Sequence, residues 1–264
     1  MPIRSVLYRT KWPHTLTAIQ DMFNLNYDPE QQHIVPLNEF SFGYRVRGEY
    51  DNTVSVGDDG VFHGYEPVAG ALNGVMERSS DFPNVWFFMG SCVEETDDFT
   101  YFTMPVIHEG KLVAKRRKMH YHEIKKDAVS PVPSGTTLEE YRKRHLDREE
   151  QRIEELEQKA RREIMESLTV LKIDGKKVLP VLCNETGNIH EFTGYVGKVD
   201  VIVEAAYGHE SIASLYMAGL YRIGIVGEES FLVKSDYVKP GESGIFKVRA
   251  TPYRAEIERI EEIP

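Results

Sequence analysis

The sequence predicts an α/β protein, on two observations. Short apolar runs bounded by turn residues, the mark of buried strands, alternate along the chain with stretches of three-and-four apolar spacing, the mark of helices. The 264 residues are 41% hydrophobic and 28% charged, an ordinary globular balance with enough apolar side chain for a sizeable core.

Taken in order, Ile3 to Tyr8 reads as a strand, Leu16 to Phe23 as a short helix, and His33 to Leu37 as a buried strand ending at Asn38-Glu39. From Gly48 to Gly74 the Gly, Asp and Asn residues break the periodicity. Loops and short strands near the surface are expected there, with a turn at Gly57-Asp58-Asp59-Gly60 and a helix over Ala69 to Met76. Val85 to Gly90 is a strand stopped by glycine, and Tyr101 to His108 with Leu112 to Arg117 forms a hairpin around Glu109-Gly110-Lys111. Ser130 to Gly135 is a linker-like break. Thr137 and Glu140 then form a capping box that opens a long charged helix over about 137–168. Its apolar residues, Leu138, Tyr141, Ile153, Leu156, Ala160, Ile164 and Leu168, make one narrow stripe, as for a helix laid across the protein body or against a partner. Lys176 to Leu182 is a strand running into Cys183. Val199 to Val203, Ile223 to Val226 and Ser230 to Val233 are further strands, and Ser211 to Tyr221 has helical spacing.

Charge and composition exclude several classes of function. A net charge of -10 argues against nucleic-acid binding, which needs clustered Lys and Arg. The run Lys115-Arg116-Arg117-Lys118 is too short to reverse that, and its first three residues are expected to be a solvated strand end. No apolar run approaches membrane-spanning length, and no leader pattern is seen, so a cytoplasmic protein without membrane contact is expected. Two cysteines, Cys92 and Cys183, make no disulfide framework, and Cys92 is expected to be a buried structural thiol. No histidine spacing suits a metal, Gly57 to Gly60 lacks the remaining ligands of a calcium loop, and no phosphate-binding glycine loop is present; no metal or cofactor is expected.

Three chemistry-bearing residues share one setting. Glu39 follows Ile34-Val35-Pro36-Leu37, Lys118 follows Leu112 to Arg117, and Cys183 follows Val178 to Leu182. Each stands at the end of an apolar strand, where α/β sheets build their sites. A carboxylate can take a thiol's proton, an ammonium can hold an oxyanion, and the N–H of Asn184 is a natural second oxyanion donor.

These segments carry a family resemblance. Ile34 to Tyr44, with its strand ending in Glu39 and Gly43-Tyr44 beyond, resembles the first nitrilase (carbon–nitrogen hydrolase) motif. Val85 to His120, closing on Arg117-Lys118-Met119-His120, resembles the second, and Lys177 to Glu185 the third, which delivers the nucleophilic cysteine. The order Glu, Lys, Cys is the family's, and the resemblance runs from about Ile3 to Val233. It implies a single-domain nitrilase-like α-β-β-α sandwich over 1–264, with the charged helix as an insertion. It also implies an amidase-like hydrolase in which Glu39 is the base, Lys118 the oxyanion holder and Cys183 the nucleophile, acting on a small amide or nitrile, with a homodimer among the admissible assemblies. Asn38 stands where the family has proline, Asn184 where it has an aromatic residue, and Glu123 is the match for a second carboxylate. The departures mark a divergent member. The alternative is an inactive nitrilase-like module that works through protein contacts.

Overall fold

The computed structural model describes residues 2–11, 13–39, 41–42, 53–125, 138–183, 185, 191, 196–207 and 213–264. The Ser130–Gly135 break, Thr137 of the capping box and Asn184 lie outside these residues.

The first half of the chain builds one sheet from β1 (Ile3–Ser5), β2 (Gln32–Pro36), β3 (Thr53–Val56), β4 (Phe62–Gly64), β5 (Val85–Phe88), β6 (Cys92–Glu95), β7 (Phe99–His108) and β8 (Lys111–Ile124). Helices α1 (Thr15–Phe23) and α2 (Glu66–Ser79) interrupt it. The second half follows the long helix α3 (Leu138–Glu166). It forms a six-stranded sheet from β9 (Leu171–Ile173), β10 (Lys176–Leu182), β11 (Val199–Ala206), β12 (Val226–Asp236), β13 (Gly244–Ala250) and β14 (Ala255–Ile260), with α4 (Ala213–Arg222) between β11 and β12. The last strand, β15 (Glu262–Ile263), crosses back to pair antiparallel with β1, so the C-terminal residues finish the first sheet.

Period-2 alternation assembles the layers. On β10, Val178 and Leu182 face the first sheet, while Leu179 and Val181 face the helices. On β2, Ile34 enters the inter-sheet core with Phe88, Met104 and Val106, while Val35 turns to α1 and α2. On α3, Leu156, Ala160, Ile164 and Met165 are buried in a cluster with Phe99, Tyr101 and Met119 of β7 and β8 and with side chains of the second sheet and α4. The result is the expected four-layered α-β-β-α sandwich. Among the stripe residues whose side chains are described, Ile153 is the exposed one, at 39%.

Three expectations are corrected. The strand carrying Lys118 does not stop at Arg117 but runs on to Ile124, with an irregularity in which Arg117 to His122 oppose only Thr103 to Tyr101. Of the two short strands expected between Ile223 and Val233, the first is mostly the turn that closes α4, where Ile223, Gly224 and Ile225 N–H donate to the Gly219, Tyr221 and Leu220 carbonyls, and β12 runs unbroken from Val226 through the second. The basic run is not a solvated strand end: Arg116 is fully buried, and the side chain of Arg117 is only 11% exposed. Alternation explains the difference. Ala114, Arg116 and Lys118 point between the sheets, while Lys115 and Arg117 point the other way onto buried Glu94. The turn at Gly57 to Gly60 is present, closed by Gly57 N–H to the Val61 carbonyl at 3.0 Å.

Candidate active site

Glu39 lies just beyond β2, in a loop tied from several directions. Leu37 N–H donates to the Phe88 carbonyl at 2.8 Å, and Ser41 Oγ donates to the Met89 carbonyl at 3.1 Å. Asn38, which departs from the family pattern, is fully buried. Its Oδ1 accepts Thr10 N–H at 2.7 Å and its Nδ2 donates to the Glu39 carbonyl at 2.7 Å. Gly90 makes this approach possible. Its φ is +67°, and a Cβ there would sit 2.2 Å from both the Asn38 carbonyl oxygen and Ser41 Oγ.

Lys118 leaves β8 where the ladder to β7 becomes irregular, a device that re-aims a side chain. Its ammonium donates to Glu39 Oε1. Cys183 ends β10 with φ +41°, left-handed backbone that costs a non-glycine residue about 1–2 kcal/mol and turns the side chain sharply out of the strand. Its thiol hydrogen-bonds the Glu39 carboxylate and takes a backbone N–H from Tyr207. Glu39, Lys118 and Cys183 are 1%, 2% and 6% exposed, so the three residues singled out from strand ends meet in one nearly dry spot.

Burial decides the protonation states. It pushes the Cys183 thiol up to about 12, with the Glu39 charge adding to the rise and the Tyr207 N–H and Lys118 opposing it. The resting sulfur is a thiol, not a free thiolate. Burial also raises Glu39 above the usual carboxylate range, against the pull of the Lys118 ammonium. Glu39, the acceptor for both neighbours, is the group placed to take the thiol's proton. Cys92 is buried as expected: its thiol donates to the Thr103 carbonyl at 3.4 Å, and burial drives it well above the ordinary thiol range.

Of the other expected residues, Asn184 is outside the described set. Glu123 is on β8 opposite Thr100 and partly exposed. A residue that the strand-end search passed over is Glu185, two positions after Cys183 and 1% exposed. It accepts Arg116 Nη2 at 2.7 Å, Met119 N–H at 2.6 Å and Leu182 N–H at 2.8 Å. The sequence signal for it was thin: an acidic residue three positions past a buried strand, whose partner Arg116 is 69 positions away. That signal was masked because the arginine was taken as solvated. Among the described residues, no group of three or more His, Cys, Asp or Glu could hold a metal ion.

A four-layered sandwich that gathers Glu39 and Cys183 from just past β2 and β10 and Lys118 from the irregular stretch of β8 is a nitrilase-like fold, and comparison with solved structures agrees. The amidase from Nesterenkonia sp. AN1, in a glutamate-to-glutamine variant with acrylamide added at its active-site cysteine, is similar over 99% of this chain and 90% of its own, at 13% identity and a TM-score of 0.55. A cysteine-to-alanine variant of that nitrilase-superfamily amidase matches over 99% and 87%, at 12% identity and a TM-score of 0.53. A CN-hydrolase superfamily protein from Xanthomonas campestris, with an arsenic adduct in its active site, matches over 100% and 90%, at 11% identity and a TM-score of 0.53. At such identities the likeness shows the fold. No protein-family model matches the sequence, and no curated protein does. Among the described residues, no helix is long and apolar enough to cross a membrane.

Proposed function

We propose that this protein hydrolyses carbon–nitrogen bonds of small amides through a thioester on Cys183. The observation that carries the reading is the double role of the Glu39 carboxylate, which accepts both the Lys118 ammonium and the Cys183 thiol, all three being buried. Similarity to an amidase whose active-site cysteine takes up acrylamide supports the same reading.

In the proposed reaction the Cys183 sulfur attacks the amide carbon as its proton passes to Glu39. The carbonyl π electrons move to oxygen, and the Lys118 ammonium holds the resulting oxyanion. The intermediate collapses with cleavage of the C–N bond. The departing nitrogen takes the proton from Glu39 and leaves as ammonia or amine, with the acyl group on sulfur. Water then attacks the thioester as Glu39 takes its proton. When the C–S bond breaks, that proton returns to sulfur, and carboxylic acid is released. A thiol that burial pushes up to about 12 requires a base in contact, so attack and proton transfer are coupled.

The test pairs thiol labelling with turnover. Iodoacetamide is applied across pH with a mass readout at Cys183 and Cys92, and ammonia release is measured from a panel of short aliphatic amides. Cys183 is expected to label in the native protein while Cys92 does not. Its rate should rise with pH as Glu39 ionises, at higher pH than for an ordinary carboxylate because burial raises Glu39. Glu39→Gln should slow both labelling and ammonia release, turnover by about 100-fold or more, and Lys118→Ala should depress turnover further than labelling. A Cys183 no more reactive than Cys92 would sink the hydrolase reading and favour a non-catalytic module.

A further inference from the structure

We propose that Glu185 is a positioning residue that sets the spacing between Lys118 and Cys183, a role that rests on the hydrolase reading above. One carboxylate holds three donors from two strands. Oε2 accepts the N–H of Leu182, the residue before Cys183 on β10. Oε1 accepts the N–H of Met119, the residue after Lys118 on β8, and the guanidinium of Arg116 from the same strand. The two reactive side chains are thereby flanked by backbone that ends on the same functional group.

The topology explains why a side chain is needed there. β8 belongs to the first sheet and β10 to the second, so no ladder joins them. At Lys118 the pairing of β8 with β7 is irregular, and β9 covers only Lys176 to Val178 on the far edge of β10. Backbone donors at Met119 and Leu182 therefore need an acceptor that can reach into the space between the sheets. A neutral acceptor would remove the negative charge that Glu185 sets 2.7 Å from fully buried Arg116, whereas a carboxylate serves all three donors. Arg116 also donates to the Arg117 carbonyl, and Ser167, just past α3, accepts Arg117 N–H at 3.0 Å through its hydroxyl. These bonds secure the stretch of β8 that enters the irregularity. The left-handed backbone of Cys183 is held from its N-terminal side by the Leu182 bond, so Glu185 also helps to hold the strained turn that presents the sulfur.

The experiment uses the full chain with Glu185→Gln and, as the milder change, Glu185→Asp. Amide exchange at Leu182 and Met119, Cys183 labelling by iodoacetamide across pH, and Cys92 labelling are measured side by side. The wild-type chain is read first. A Cys183 as inert as Cys92 there overturns the hydrolase reading and this role with it. With a reactive wild-type thiol, the expected result for Glu185→Gln is at least tenfold faster exchange at both amides, at least tenfold slower Cys183 labelling, and a displaced pH midpoint, with Cys92 still protected. Glu185→Asp should fall between the two. A Cys183 rate and pH profile that match wild type in both variants overturn the positioning role while leaving the hydrolase reading intact. Labelling of Cys92 in step with any change at Cys183, in Glu185→Asp as well as Glu185→Gln, also overturns it, since that pattern reports general loosening.

Discussion

Glu185 and Glu204 are equally sealed from solvent, and they differ in everything else. Glu185 lies between the sheets with three hydrogen-bond donors on its two oxygens and a guanidinium beside it. Glu204 is on β11, facing the helix layer on the same side as Ile202, with neither carboxylate oxygen hydrogen-bonded among the described residues. The ladder sets it opposite Lys234, whose ammonium is instead engaged by Glu242 at 3.1 Å and Asp236 at 3.5 Å. Burial pushes Glu204 up to about 7, with Lys234 opposing the rise and Asp236, Glu39 and Glu242 adding to it. Burial alone therefore says little about what a carboxylate does. Donors within reach turn one into a structural tie, and their absence leaves the other a store of unfavourable charge.

The largest expected effect breaks the partnered side of this comparison. Glu185→Ala breaks the buried ion pair with Arg116 and should cost about 3–5 kcal/mol, read as a lower midpoint in urea unfolding. An unchanged midpoint would mean that the three bonds contribute nothing net. Next comes Glu94, another buried but well-served carboxylate, which Arg117 and Lys115 hold at about 2 against the effect of burial. Because its folded value lies below the unfolded one, its contribution is present above about pH 4.5 and is lost as pH falls toward 2. Glu94→Gln should remove roughly 3 kcal/mol of that acid-side slope, followed by stability measurements between pH 5 and 2. Glu204 has the opposite sign. Its folded value is raised, so its contribution is present below the unfolded value and is lost as pH rises through about 7. Wild type should therefore lose about 2 kcal/mol more than Glu204→Gln between pH 5 and pH 8. Parallel curves would place a donor on Glu204. The smallest effect is expected at Tyr216 on α4, a buried neighbour of Glu204 whose hydroxyl has no hydrogen bond among the described residues. Tyr216→Phe should change stability by less than about 0.5 kcal/mol, because no bond is lost.

Much of this was legible in the chain. Strands such as Lys176–Leu182 and the hairpin of β7 and β8 follow from apolar runs and turn residues, and Glu39 and Cys183 stand out because each follows such a strand, whereas Lys118 lies within β8. The C-terminal strands β13 to β15 were not legible, because half-exposed strands such as Ala255–Ile260 alternate charged with apolar residues and declare no buried run. Arg116 was misread for a related reason. Four consecutive basic residues look alike in sequence, and only strand alternation against a second sheet sends 116 and 118 inward and 115 and 117 outward.

By itself, then, the sequence determined the layer class and singled out the three reactive side chains that the fold brings together, since both rest on local patterns of apolar and reactive side chains. Tertiary structure decided protonation and placement. A thiol raised to about 12, a carboxylate that serves two neighbours and a clamp at Glu185 all depend on which groups from distant strands share one low-dielectric space, and no local pattern records that.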